Sequence, residues 1–194
     1  MATLRKLSNY NGALEAETKF DGTNAVDFFP AIIANPTGGT APDDGSVTVL
    51  GVSIPALLFA TGEANGIKVE LNHNYKDNGY LDIHIRAFAT NTAVGNVSFT
   101  YNFIILGSPA ETVKQARAGT TITLTGVVAT GDLAAGRYMY LSGTINAVSL
   151  NIKSGEMLTG ILTRTTPATS YSGDVAVEEI GFHGAVGSTG DSFS

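Results

Sequence analysis

The residues best suited to chemistry lie in one short segment, DIHIR, in which an acid, an imidazole and a guanidinium alternate with isoleucine. In a β-strand, Asp82, His84 and Arg86 all point to the same face, because successive side chains alternate between faces. An imidazole beside a carboxylate is suited to proton transfer or metal binding. The chain has three histidines, and the other two, His73 and His183, are candidates to join such a site if strands bring them together.

Two interpretations of this segment are open. In the first, His73, His84 or His183 converges with a carboxylate as a metal centre of the kind found in cupin-type enzymes. In the second, Asp82, His84 and Arg86 form a strip of mutually paired polar groups that faces water or a neighbouring subunit. Polar cross-strand pairs are common on open sheet faces, which favours the second interpretation. We therefore expect no catalytic residue, no metal and no cofactor.

Other signatures of catalysis are absent from the sequence. It contains no P-loop, no G-x-S-x-G elbow and no H-E-x-x-H helix motif. Residues 72–79 superficially suggest a calcium loop, but the acidic first ligand is missing. The chain also has no cysteine, which excludes disulfides, thiolate zinc sites and cysteine nucleophiles. These observations indicate a protein that is not an enzyme.

Composition narrows the choice of partner. Charged residues make up 14% of the 194 residues, well below the roughly 25% of an average soluble domain. The net charge is −6 and the 11 basic residues are scattered, so we expect no nucleic-acid binding. No segment approaches the ~18 apolar residues of a membrane span. The N-terminus lacks the apolar run of a secretory signal, which predicts synthesis in a cytoplasm.

Hydrophobic periodicity of two dominates the chain and predicts an all-β fold. The apolar faces of three strands are Ile67, Val69 and Leu71; Ile83, Ile85 and Ala87; and Val97, Phe99, Tyr101, Phe103 and Ile105. The predicted strands are 46–54, 66–72, 80–89, 97–106, 120–129, 137–143, 145–153, 157–164 and 174–183. We expect 80–89 and 97–106 to pair as a hairpin. The one helix candidate is Pro109 to Ala118.

Eight to ten short strands in a chain of this length predict one antiparallel β-sandwich with jelly-roll-like connections and at most one short helix. Residues 1–20 are expected to form an N-terminal arm, residues 21–184 the single sandwich domain, and residues 185–194 a small-residue C-terminal tail.

Two stretches resemble a widespread group of small virion proteins of tailed bacteriophages. The first is DIHIRAFATNTAVGNVSFTYNF, which is similar to that group's His-containing strand, Thr/Asn-rich turn and aromatic strand. The second is TRTTPATSYSGDVAVEEIGFHGAVGSTG, which is similar to its closing pattern. The matching residues in the second stretch are Arg164, Pro167, Tyr171, Gly173, Asp174, Phe182, His183, Gly187 and Ser188. Asp82 stands where the group has a first histidine, and Gly184 where it has an aromatic residue.

The resemblance implies a jelly roll in the phage particle, assembled as a homotrimer. The leading interpretation is a capsid cement (decoration) protein on the outer capsid surface, made in the cytoplasm of the host bacterium. It would bind the major capsid protein where the lattice has three-fold symmetry. We expect the interface among Leu4, Arg5 and Lys6 of the arm, Asp82, His84 and Arg86 of the strip, and Tyr138 and Tyr140.

Alternatives remain for several of these features. A head-fibre or tail-appendage domain that binds host glycan would use exposed aromatic side chains, although the chain has no tryptophan. Leu4, Arg5 and Lys6 are equally compatible with an edge strand or a disordered leader. Tyr138 and Tyr140 share one face opposite Met139, and that face fits the rim of the core as well as an interface.

Overall fold

The computed structural model describes residues 19–20, 23–28, 31–32, 39–107 and 115–186. Leu4, Arg5 and Lys6 lie outside the described residues, as do residues 1–18 of the expected arm and residues 187–194 of the expected tail. The last two residues assigned to the arm, Lys19–Phe20, form a short strand that pairs with the next one.

Twelve strands and one short helix make up the described part of the chain. The strands are β1 Lys19–Phe20, β2 Thr23–Phe28, β3 Ala31–Ile32, β4 Asp43–Val49, β5 Val52–Phe59, β6 Ala64–Glu70, β7 Leu81–Ala89, β8 Gly95–Leu106, β9 Ala116–Val128, β10 Met139–Thr144, β11 Met157–Thr165 and β12 Val175–Ala185. The helix, α1, spans Ala147–Leu150.

The strands form two antiparallel sheets. In the first sheet, β12 pairs with β7 on one side, and β7 pairs in turn with β10. On the other side of β12, its first residues pair with β5 and its last residues pair with β2. Beyond these, β5 pairs with β4, and β2 pairs with β1. The second sheet has the order β3-β6-β11-β8-β9. Because β12 lies at the centre, it holds the first sheet together.

The connections follow a jelly roll. From β5 onwards the chain passes between the sheets so that β5-β12-β7-β10 of the first sheet face β6-β11-β8-β9 of the second. Eight strands in this order form the double-sheet jelly-roll arrangement, in which two Greek keys wrap around one core. The predicted all-β, antiparallel sandwich is therefore confirmed.

The predicted hairpin of residues 80–89 and 97–106 is wrong. β7 belongs to the first sheet and β8 to the second, so the connection between them crosses the sandwich. The Tyr171 hydroxyl holds this connection, since it accepts hydrogen bonds from the backbone amides of Thr90 and Asn91, each at 3.0 Å. Alternation of apolar residues predicts which face of a strand is buried but not which strand lies beside it.

The predicted strand 46–54 is two strands joined by a tight turn. Leu50 and Gly51 have φ values of +50° and +83°, which form a two-residue connection of the type I′ class between Val49 and Val52. A leucine at such a position is unusual, because the usual sequence signal is Asn-Gly or Asp-Gly. Because the residues around Leu50 and Gly51 are mostly apolar, the sequence pattern predicted one continuous strand and no turn.

The structure differs from two further predictions, a strand at residues 145–153 and a helix at residues 109–118. Residues 145–153 hold α1 and a loop instead of a strand, because the Asn146 side chain accepts from the Ser149 amide at 3.1 Å and Asn151 ends the helix with a φ of +48°. Of the helix candidate Pro109 to Ala118, residues 116–118 belong to β9 and residues 109–114 lie outside the described part of the chain.

The core lies between the sheets and contains the predicted apolar faces of β6, β7 and β8. Aromatic rings fill its centre: Phe59 meets Phe99 edge-on at 5.3 Å between centroids, and Tyr101 meets Phe182 edge-on at 5.8 Å. A second, smaller group of buried residues lies on the outside of the first sheet. We call it the outer cluster, and it consists of Val47, Val49 and Ala176.

Within the described ranges, no helix has the length and apolar character needed to cross a membrane.

Candidate functional site

The outer face of the first sheet brings the polar residues of three neighbouring strands together. Asp82, His84 and Arg86 point outward on β7, because the intervening Ile83 and Ile85 are in the core. Residues opposite one another in a sheet share a face, so their partners on β12 and β10 also point outward. The Cα partners are His183 and Thr144 for Asp82, Gly181 and Ser142 for His84, and Glu179 and Tyr140 for Arg86.

Three rings form a stack across these strands. The His84 ring lies 4.2 Å from that of His183 and 5.3 Å from that of Tyr140, with interplanar angles of 25° and 19°. We call Tyr140, His84 and His183 the ring stack. Gly181 makes room for it, because a Cβ at that position would lie 2.5 Å from His84 Cε1.

Burial divides the predicted polar strip. His84 is only 2% exposed and Asp82 only 7%, whereas the Arg86 side chain is 47% exposed. The expectation that the strip meets water is therefore wrong for Asp82 and His84, and the expected contact with a neighbouring subunit stays a prediction. The ring of His84 lies between two other rings, and this covers it although it is on the outside of the sheet.

The two tyrosines chosen from the sequence are exposed, as an interface requires. Tyr138 is 56% exposed and Tyr140 45%, while Met139 between them is buried against the core. Tyr138, just before β10, also meets Phe88 of β7 edge-on at 6.3 Å. Phe88 packs against the outer cluster, so the outer face is apolar towards β4 and β5 and charged towards the ring stack.

Glu179 connects the exposed and buried parts of the charged region. The Glu179 carboxylate forms an ion pair with the Arg86 guanidinium at 2.8 Å. Its other oxygen lies 3.7 Å from His84 Nε2, and this distance is too long for a hydrogen bond. A β-bulge between Val177 and Glu179 shifts the register of β12 and brings this side chain opposite Arg86. Glu179 was not among the site residues predicted from the sequence. The alternation of Glu179, Gly181 and His183 along β12 is the signal that pointed to it.

Three buried polar atoms at the centre of this region have no hydrogen-bond partner among the residues that the structure describes. They are Oδ1 of Asp82 and both ring nitrogens of His84. A buried polar group without a partner destabilises the fold, so such groups are uncommon and are frequently tied to function.

Burial governs the protonation of both residues. It raises the pKa of the Asp82 carboxyl, an effect that a hydrogen bond with Tyr80 and the two imidazoles oppose. It lowers the pKa of the His84 imidazole, and the neighbouring His183 lowers it further, while Glu179 acts in the opposite direction. His84 is therefore neutral at neutral pH.

The histidines do not provide a metal centre in the described ranges, where no group of three or more His, Asp or Glu side chains is arranged to hold an ion. Stacked imidazoles direct their nitrogen lone pairs side by side instead of towards a common point. His73 lies in the connection between β6 and β7 and is not part of the ring stack. The geometry gives no support to the cupin-type interpretation.

The residues of the closing sequence pattern build a separate, buried cluster at one end of the sandwich. Arg164 is 1% exposed and donates to the carbonyl oxygens of Phe59 at 2.5 Å and of Tyr171 at 2.8 Å. Its guanidinium also lies 5.8 Å from the centroid of the Tyr171 ring. Gly173 is required beside this ring, because a Cβ there would lie 2.4 Å from the Tyr171 hydroxyl. This part of the pattern supports the architecture.

A scan against protein-family models finds no match to this chain, and a search of curated proteins finds none either.

Proposed function

We propose that this chain is a structural protein of a tailed bacteriophage particle: a trimeric capsid cement protein that docks through the outer face of its first sheet. The observation that carries the proposal is the band of exposed aromatic and paired charged side chains on that face. The jelly-roll strand order and the sequence resemblance to small virion proteins support the same assignment.

The composition of the band suits protein contact. Tyrosine and arginine are enriched in the centres of protein interfaces, where they supply contact area and directed hydrogen bonds. Tyr138, Tyr140 and Arg86 are exposed and lie on adjacent strands. The ion pair between Arg86 and Glu179 fixes the guanidinium before binding, which lowers the entropy lost on docking.

The proposed activity is mechanical. A trimer matches the three-fold positions of a capsid lattice, since a closed symmetric assembly repeats the same contact on each subunit. Binding only to the assembled lattice stabilises that lattice by mass action, in the way that a ligand stabilises the state it binds. The major capsid protein and two further copies of this chain are the proposed partners.

A map of the phage particle tests the assignment directly. Density for this chain on the capsid shell at three-fold points is expected, and density at the tail would overturn the capsid assignment. Particles made without the protein should release their genome at lower temperature than complete particles. Equal release temperatures would also overturn it.

Surface variants test the proposed face. Tyr140→Ala and Arg86→Ala should weaken the trimer in analytical ultracentrifugation and reduce binding to capsids that lack the protein. The matched control is Ile161→Ala, because Ile161 is 42% exposed but lies on the outer face of the second sheet. Equal effects of all three substitutions would contradict a role specific to the first sheet.

Glycan binding is the second candidate, and the exposed rings of Tyr138 and Tyr140 favour it. Sugars stack on aromatic rings, so a receptor-binding domain would lose host-cell binding in Tyr138→Ala without any change in capsid stability. A glycan array with the full chain, compared with the same array for Tyr138→Ala, separates this candidate from the cement protein.

A further inference from the structure

Two imidazoles face each other at the junction of the first sheet's central strands. His84 of β7 and His183 of β12 have their ring centroids 4.2 Å apart, and His84 is almost completely buried. β12 pairs at this point with β7 on one side and β2 on the other. A change in the contact between the rings therefore acts where three strands meet.

The charged groups described around the rings come from β7 and β12. β7 contributes Asp82 and Arg86, and β12 contributes Glu179. On β2, the Cα partner of His183 is Asp27. The other neighbours are the phenols of Tyr140 in the ring stack and of Tyr80, which hydrogen-bonds Asp82.

These charges accommodate one proton on the imidazoles better than two. Glu179 is committed to Arg86 at 2.8 Å, and the nearest of its oxygens is 3.7 Å from His84. Glu179 still favours a proton on His84, and Asp82 attracts a proton on either imidazole, so one added charge is compensated. A second proton places two like charges face to face at a ring contact where His84 is almost completely buried, so their repulsion is screened less than at a fully exposed surface.

We propose that the His84–His183 contact is a proton-operated switch, which keeps the ring stack closed at neutral pH and opens it when both imidazoles become protonated in mildly acidic solution. Opening moves the two rings apart and removes the support behind Tyr140. The proposal of a proton-sensitive contact rests on the geometry of the two rings and does not depend on the proposed function. Its consequence for assembly, weaker docking of the outer face at acidic pH, rests on the proposed function.

The direction of the pH effect follows from linkage. In the folded chain His84 resists protonation, whereas the unfolded chain accepts a proton freely near pH 6.5. The unfolded state then binds more protons, so stability from the closed stack is complete above about pH 6.5 and is lost as the pH falls below it.

Histidine NMR titration measures this coupling in the isolated full chain. In the wild type, His84 should titrate below the usual range of a histidine, with a curve broader than that of a single independent site. In His183→Gln the His84 midpoint should move to higher pH, because the opposing charge is gone. The matched control His73→Gln should leave His84 unchanged. A His84 curve that is simple in the wild type and the same in His183→Gln would overturn the switch.

Thermal unfolding gives a second measurement that does not depend on assigned resonances. Between pH 7.5 and pH 5.5 the wild type should lose at least about 3 °C more in melting temperature than His183→Gln. His73→Gln should lose as much as the wild type. Equal losses in the wild type and His183→Gln would count against the proposal.

Docking is then tested separately with capsids that lack the protein. Binding at pH 7.5 should fall several-fold at pH 5.5 for the wild type and less for His183→Gln. Coupled histidine titration with no capsid binding at either pH would retain the switch and overturn the proposed function. Capsid binding together with uncoupled histidine titration would retain the proposed function and overturn the switch.

Discussion

Two buried polar clusters in this sandwich differ in how completely their groups are paired. In the cluster of Arg164 and Tyr171, both terminal nitrogens of the guanidinium donate to carbonyl oxygens, the phenol accepts two backbone amides, and Nε of Arg164 is the one buried atom of these two side chains without a partner among the described residues. In the cluster of Asp82 and His84, three buried polar atoms have no hydrogen-bond partner in the same part of the chain. The first cluster ties loops to the end of the sandwich, and the second lies under an exposed surface.

The difference predicts that the two clusters respond differently to mutation. A buried group whose hydrogen bonds are made stabilises one arrangement of the chain, so its removal is costly. A buried ionisable group without partners costs stability in the folded state, and its charged form costs the most. Mutations in the first cluster should therefore lower the free energy of unfolding. Mutations in the second cluster should change how that free energy depends on pH.

The largest effect is expected for Arg164→Met. This substitution keeps much of the apolar side chain but leaves the carbonyl oxygens of Phe59 and Tyr171 buried without donors. The free energy of unfolding should fall by about 3 kcal/mol, measured by denaturant titration. Arg137→Met is the control: Arg137 is 70% exposed in its ion pair with Asp132, so its loss should change little. Similar losses in both variants would remove the distinction between the clusters.

A smaller loss is expected for Tyr171→Phe. Without the hydroxyl, the amides of Thr90 and Asn91 lose the acceptor that fixes the crossover between β7 and β8. The cost should be about 1–2 kcal/mol, with the faster hydrogen exchange confined to these two amides. Tyr138→Phe changes an exposed phenol and should leave both measurements unaltered.

The smallest effect has the opposite sign. Burial raises the pKa of Asp82, so its ionised form opposes folding at pH values above the unfolded pKa, and this cost grows as the pH rises through the folded pKa. Asp82→Asn should therefore increase stability at pH 8 by up to about 1 kcal/mol. The gain should vanish near pH 3, where the carboxyl is protonated in both states. The exposed Asp44→Asn is the control. A loss of stability at pH 8 would show that the carboxylate is better satisfied than its contacts indicate.

The sequence predicted the layers of this fold better than its connections. Period-two alternation identified the buried faces of β6, β7 and β8, because burial on one side is a property of each strand by itself. It did not predict that β7 and β8 belong to different sheets. That choice depends on contacts such as those of the Tyr171 hydroxyl, about eighty residues further along the chain.

The candidate site was predicted in part for the same reason. Residues on β7 and β10 were selected from local alternation, and the structure places them on one face. The burial of His84 could not be predicted locally. It depends on His183, on the space left by Gly181 and on a bulge in β12, all of which become neighbours only when the sheet forms.

The central position of β12 also bears on how the chain reaches its native state. The strands that flank it, β2, β5 and β7, precede it by most of the described sequence, and β12 has to be available before they can join into one sheet. Such non-local pairing makes folding slow, on the order of milliseconds to seconds. Long loops must close, with a loss of chain entropy, before the stabilising contacts can form. During synthesis on the ribosome, the first sheet is thus among the last parts to assemble. The half-made chain then exposes unpaired strand edges that chaperones can bind.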